Sequence, residues 1–157
     1  ALRQAAHERA NAHHAHILRG IQVYRGRAIF HGLGNFATVT RALSAAPGDA
    51  AERASWARER VRLFGFVPDP TMPDYLFHPE SRNTAVARLE IAGGDVVTAS
   101  VLPFWIDDDA RPTPVAGTDR GREVAHYIRR ITADAGFDTA FDETDDGLSI
   151  HLKGAAA

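Results

Sequence analysis

The sequence predicts a mixed fold of the α/β (α+β) class, and three observations predict it. Short β-rich runs are joined at Gly-centred turns, a hairpin signature. Thr118 to Gly136 carries apolar residues at helical spacing, so helix and strand coexist. The chain has 157 residues, about one domain's worth and enough to bury a core. We therefore expect a single domain over 1–153, followed by a short tail at 154–157.

The elements follow in order. Residues 2–12 are strong helix formers and run without a Gly or Pro stop into Ala12-His13-His14-Ala15-His16. Ile21–Tyr24 and Arg27–His31 are β-like, with Arg25-Gly26 as the tight turn between them. Gly32-Leu33-Gly34-Asn35-Phe36 predicts a sharp loop, because glycine permits φ > 0 and close backbone approach. Ala50 to Phe64 predicts a helix on Ala54, Ala57, Val61 and Phe64, with Gly65 as its stop. Residues 66–83 hold four prolines and are expected to be irregular but ordered, since solvated linkers lack aromatics such as Phe66, Tyr75 and Phe77.

Thr84–Ile91 and Asp95–Asp107 predict a hairpin around Gly93-Gly94. The second strand is apolar on both faces, which predicts a covered strand with Phe104 and Trp105 in the core. Asp107 to Gly117 reads as a polar loop. Thr118 is the expected N-cap of the last helix, whose apolar face is Val124, Tyr127, Ile128 and Ile131. Two short strands near Thr139–Phe141 and Leu148–Leu152 flank an acidic turn.

Composition narrows the function. Hydrophobic residues make up 45% and charged residues 24%, the balance of a globular domain. A formal charge of −2 leaves no basic footprint, which argues against nucleic acid as a partner. No apolar run approaches the roughly 20 residues of a membrane span. With no cysteine there is neither a disulfide framework nor thiolate chemistry.

The residues that carry chemistry begin with His13, His14 and His16. Imidazole is the commonest protein metal ligand and the natural acid/base near neutral pH. In an extended backbone His14 and His16 would share one face and grip one metal, or one metal each of a pair. Surface histidines at a helix end are the plain alternative. Spacing alone does not separate ligation from acid/base catalysis. Asn35, beside His31 in the Gly-rich loop, can donate and accept toward a substrate, or simply tolerate a left-handed turn. His78, Glu80, Ser81 and Arg82 place a base, an acid, a hydroxyl and a guanidinium in one loop. Arg82 suits a planar anion, although such residues also satisfy a loop's own backbone. Asp107-Asp108-Asp109 lacks the spaced ligands of a calcium loop and reads as a solvated turn.

The segment HHAHILRGIQVYRGRAIFHGLGNF resembles the CapA-like family of poly-γ-glutamate and capsule synthesis proteins. There the stretch reads approximately G-H-H-P-H-V-x-x-G-x-E-x-Y-x-G-x-x-I-x-x-S-L-G-N-F. His13, His14, His16, Gly20, Tyr24, Gly26, Ile29, Gly34, Asn35 and Phe36 match it. FHPESRNT (77–84) and VLPFWIDDDARP also look like that family's C-terminal part, so the resemblance spans nearly the whole chain.

The family is similar to the calcineurin-like metallophosphoesterases, whose fold is two mixed sheets packed together with helices outside. The resemblance implies that the chain is the C-terminal half of such a two-sheet sandwich with flanking helices. It implies His14 and His16 as metal ligands, with His13 as a supporting or alternative ligand; Asn35, His78, Glu80 and Arg82, singled out by their residue chemistry, are then expected on the substrate side. A divalent metal pair (Mn, Fe or Zn) would then be completed by residues of the missing N-terminal half. Two departures accompany it: Ala12 stands where the family has Gly, and ERANA replaces the expected buried strand. Standing alone, these residues are expected to hold an incomplete metal centre or none.

Three functions follow. The first is a metallophosphoesterase-like hydrolase in a bacterium, cytoplasmic or associated with the cell envelope. The second is a metal-independent peptide epimerase on the same fold. The third is a non-catalytic protein of capsule or polyglutamate assembly. The partner is accordingly a small-molecule, peptide or polyglutamate substrate.

Overall fold

The computed structural model describes residues 15–38 and 77–152, together with positions 51, 52, 55, 58, 59, 61, 62, 65, 66, 72 and 75. The expected helix at 2–12, His13, His14 and the tail lie outside the described residues. So do Ala54, Ala57 and Phe64 of the second expected helix. Every described position between 51 and 62 is helical, and the Gly65 amide donates to the Val61 carbonyl at 2.9 Å. Gly65 has φ +78, as a helix stop requires.

The fold is mixed α/β. Strands β1 (Ile21–Tyr24) and β2 (Arg27–Phe30) form a two-stranded antiparallel sheet in the register Ile21↔Phe30 to Tyr24↔Arg27. Arg25 (φ 51) and Gly26 (φ 73) both sit in the left-handed region. That is the twist a two-residue hairpin needs to match its strands. β3 (Asn83–Ala92) and β4 (Asp95–Ile106) form the second hairpin, turning at Gly93-Gly94. β5 (Pro112–Pro114) pairs with the end of β4. The helix α1 (Asp119–Asp134) follows, then β6 (Phe141–Thr144) and β7 (Gly147–Ile150). The larger sheet has five strands in the order β3-β4-β7-β6, with β5 also on β4.

Every strand pairing in both described sheets is antiparallel. The mixed sheets implied by the family resemblance are therefore not seen among the described residues. For three of the five pairings the reason is local: β1–β2, β3–β4 and β6–β7 are joined by two-residue turns, and such turns can only reverse the chain.

α1 holds the two sheets together. Thr118 caps it, accepting from the Gly121 amide at 3.0 Å. Val124, Tyr127 and Ile128 recur at helical spacing and are buried, while Ile131 is half-buried. They pack with Ala99 and Val101 of β4, Leu148 and Ile150 of β7, and Ile21 of β1 in one core. Two threonines moor the small sheet. Thr132 on α1 accepts from the Ile21 amide (3.1 Å). Thr139 accepts from the Val23 amide (3.2 Å) and donates to the Ile21 carbonyl (2.7 Å).

A second, smaller cluster joins Met72, Tyr75 and Ile106, with Phe77 and Ala110 against it. It lies beneath the site described below.

Four expectations are corrected. β4 is covered only from Ala99 onward; Val97, Leu89 and Ile91 of its hairpin are exposed. Ala99 is also where the pairing with β7 begins. Phe104 and Trp105 are half-buried rather than core. Trp105 lies between the guanidiniums of Arg82 (4.5 Å) and Arg120 (4.2 Å), and Phe104 meets the edge of Phe36. The polar loop after Asp107 contains strand β5, whose prolines are tolerated at a sheet margin. The penultimate strand starts at Phe141 rather than Thr139, because Thr139 bonds the β1 backbone instead.

Candidate functional site

The site begins where the histidine run meets the first sheet. Ala15 to Ile17 turn, and Leu18 then pairs with Leu33 as an isolated bridge. The Arg19 amide donates to the Gly32 carbonyl at 3.0 Å. These contacts bring His16 against the Gly-rich loop. His16 has φ 51. The extended geometry expected at His16 therefore fails: its backbone is left-handed, a region histidine enters more readily than most residues.

The Gly32–Phe36 loop is held by the start of β3. The Thr84 hydroxyl lies within reach of the carbonyls of Leu33 (3.1 Å) and Asn35 and shares its one hydrogen between them, and the Ala85 amide donates to the Leu33 carbonyl (3.3 Å). Gly34 sits at φ +79, and a Cβ there would lie 3.3 Å from the Asn83 carbonyl and the Thr84 hydroxyl. Glycine lets this loop lie on β3 and sends the Asn35 side chain inward.

Asn35 is 3% exposed and is the pivot of the site. Its Oδ1 lies 2.7 Å from Nδ1 of His16. Its Nδ2 donates to the Tyr75 hydroxyl at 3.0 Å. The Tyr75 hydroxyl donates to the Ser81 carbonyl at 2.7 Å. A continuous polar relay thus runs His16–Asn35–Tyr75–Ser81. The His16 ring, exposed at the surface, stacks on Phe77 with centroids 4.8 Å apart, and Tyr75 meets Phe77 edge-on at 5.0 Å. Burial pushes the Tyr75 phenol above its ordinary value, with opposing pulls from Ser81, Asn35 and Arg82. The hydroxyl therefore stays protonated and keeps its single hydrogen.

The Phe77–Asn83 loop forms a one-turn 3-10 helix, Pro79–Arg82, and its polar side chains point to different partners. His78 caps the turn, its Nδ1 accepting from the Glu80 amide at 3.1 Å. Ser81 is buried and donates to the His78 carbonyl at 2.6 Å. Glu80 reaches α1, accepting from Arg130 (3.1 Å) and from the Tyr127 hydroxyl (3.4 Å). Burial and the neighbouring Glu80 charge push Tyr127 up to about 12. Arg82 reaches the end of β4, donating to the Ile106 carbonyl (2.8 Å) and to Asp108 (2.6 Å) while lying on Trp105.

The structure thus joins His16 and Asn35 and adds Tyr75 and Phe77. It turns His78, Glu80 and Arg82 toward the loop, α1 and β4 respectively. His31 stacks on Phe137 at 5.0 Å and meets Gln22 at 3.3 Å. Tyr75 is the residue that sequence reasoning missed as part of the site. The available signal was a tyrosine hydroxyl inside an ordered loop, since a buried tyrosine must find a polar partner.

Asp107 forms the expected solvated turn, accepting from the amides of Arg111 (2.9 Å) and Asp109 (3.0 Å). The Arg111 amide, more than any other group, holds its carboxyl below the ordinary carboxylate value. Among the described residues no three His, Cys, Asp or Glu side chains converge as a metal-binding group. No described helix is long and apolar enough to cross a membrane.

No family model matches this chain, and no curated protein matches it.

Proposed function

We propose that the chain is the C-terminal part of a CapA-like enzyme of metallophosphoesterase fold, in which His16 lines the reaction cleft. The observation that carries this reading is the 2.7 Å bond from Nδ1 of His16 to a buried amide. A histidine that ligates a metal or moves a proton works through one ring nitrogen while the other is held by a fixed partner. A surface imidazole without such a role has no need of a buried asparagine behind it. Both residues of the pair belong to the pattern on which the family resemblance rests.

The donor chemistry of His16 fits a divalent metal. The described residues do not complete a coordination set, so further ligands would come from His14 and from the N-terminal half of the enzyme. A bound metal pair would generate hydroxide and polarise a phosphoryl oxygen. In this chain Asn35 orients the imidazole, and Phe77 supports one face of the ring. Arg82, expected from its chemistry to meet an anionic substrate, instead supports the end of β4.

The experiment is metal analysis for Mn, Fe and Zn in the full-length protein, in His14→Ala and in His16→Ala. Stoichiometric metal in the wild type and its loss in both variants is expected. Metal retained intact in either variant overturns that residue's assignment as a ligand.

A second reading rests on the same histidine, whose Nδ1 is held by Asn35. In it His16 acts without metal as a base on a peptide or amide α-carbon, and a group from the other half returns the proton. Solvent deuterium entering a peptide substrate supports this reading, and no exchange at any pH defeats it.

A further inference from the structure

The relay behind His16 has only one consistent arrangement of hydrogens. The Ser81 carbonyl can only accept, so the Tyr75 hydroxyl gives its single hydrogen there. Toward Asn35 that hydroxyl can therefore only accept. The amide end facing it must be Nδ2, which lies 3.0 Å away. Oδ1 is then turned to His16, and an amide oxygen only accepts. Nδ1 of His16 must carry a hydrogen. In the neutral ring the lone pair is left on Nε2, the nitrogen that a base or a ligand uses.

We infer that Tyr75 is a positioning residue that sets the tautomer of His16 through Asn35, keeping the imidazole in the Nδ1–H form. The inference rests on the reading of His16 as a working histidine, and it extends that reading to a residue some sixty positions along the chain.

The packing supports the assignment. Tyr75 is 2% exposed and packs with Met72 and Ile106, which holds its hydroxyl oxygen in place between Asn35 and the Ser81 carbonyl. Asn35 is buried to a similar degree, and its backbone is clamped by Thr84. An asparagine between two partners has two amide orientations. The phenol decides between them, because only one leaves the Ser81 carbonyl satisfied. Without the phenol an inverted amide would present Nδ2 to His16 and draw the ring into the Nε2–H form. Tyr75 touches neither the reacting nitrogen nor any substrate group placed here, so it acts only through Asn35.

The test is two-bond proton–nitrogen NMR of the full chain with labelled histidine, at a pH where imidazole is neutral. The His16 signals are assigned by their absence in His16→Gln. The wild type is expected to show Nδ1 protonated and the lone pair on Nε2. In Tyr75→Phe the ratio of Nδ1–H to Nε2–H should fall about fivefold, the worth of one buried neutral hydrogen bond. Asn35→Asp added to Tyr75→Phe should restore the Nδ1–H form, because a carboxylate can only accept. An Nε2–H majority in the wild type overturns the inference, and that spectrum decides even if Tyr75→Phe does not fold. An unchanged ratio in folded Tyr75→Phe, or no rescue by Asn35→Asp, overturns it as well. These readings need neither metal nor turnover. If the tautomer responds as expected while His16→Ala leaves metal and activity intact, the proposed function fails and the positioning stands.

Discussion

Thr132→Val isolates a single hydrogen bond that joins α1 to the sheet beside the site. The Thr132 hydroxyl accepts from the Ile21 amide at 3.1 Å, and Thr132 and Ile21 are 2% and 3% exposed. Valine has nearly the same shape, so no cavity opens. The Ile21 amide is left buried without its partner, which costs about 1–3 kcal/mol. The added methyl group returns up to about 0.8 kcal/mol of apolar burial. The net expectation is a loss of about 1–2 kcal/mol, or about 2–8 °C in melting temperature for a chain of this size. Thr132→Ser keeps the acceptor and loses one buried methyl group, about 0.8 kcal/mol, so it should lose less than Thr132→Val. The assay is urea denaturation of the wild type and both variants, with thermal unfolding as a second probe. Equal stability of Thr132→Val and wild type, or a larger loss in Thr132→Ser, would refute the claim that this hydroxyl moors the small sheet.

Two further outcomes follow from the helix. Gly121→Ala should destabilise by about 1–3 kcal/mol in thermal melts, although alanine is the better helix former by about 1 kcal/mol; its Cβ would lie 2.1 Å from the Val115 carbonyl, and backbone cannot step aside as a side-chain tip can. Tyr127 should ionise near pH 12 instead of 10 in a phenolate absorbance titration, and earlier in Glu80→Gln, which removes the second cause of its shift. Because its folded value is raised, the stability it contributes is complete below pH 10 and is lost as pH rises toward 12. A Tyr127→Phe variant with the same alkaline stability profile as wild type would contradict this.

Much of the fold was legible because its signals are local. Arg25-Gly26 and Gly93-Gly94 mark their hairpins by backbone freedom alone, and Thr118 marks the start of α1 by its cap. The first residues of β6 were not legible. Thr139 looks like a strand residue, and only the approach of β1, far away in sequence, gives its hydroxyl another partner. β5 was hidden by its two prolines, which mark a loop unless a neighbouring strand tolerates them. The exposure of Val97 was equally out of reach, because it depends on which elements of the fold pack over that end of the hairpin.

The site divides in the same way. His16 and Asn35 stand out by residue type and spacing, and the structure brings them together. Arg82 also stands out, but its partners Trp105 and Asp108 come from β4 and the loop beyond it, which no local pattern could announce. Tyr75 carries no local mark of its role, since its meaning comes from a carbonyl six residues later and an amide forty residues earlier.

The seam between β4 and β7 has a consequence for how the chain folds. Hairpins β1–β2, β3–β4 and β6–β7 each close across a two-residue turn, so each forms at small entropic cost. Val101 and Leu148 meet only after α1 and everything between them has been gathered in. That contact is non-local, and closing it costs more chain entropy than closing any of the three hairpins. Changes along the seam therefore act on the rate of folding.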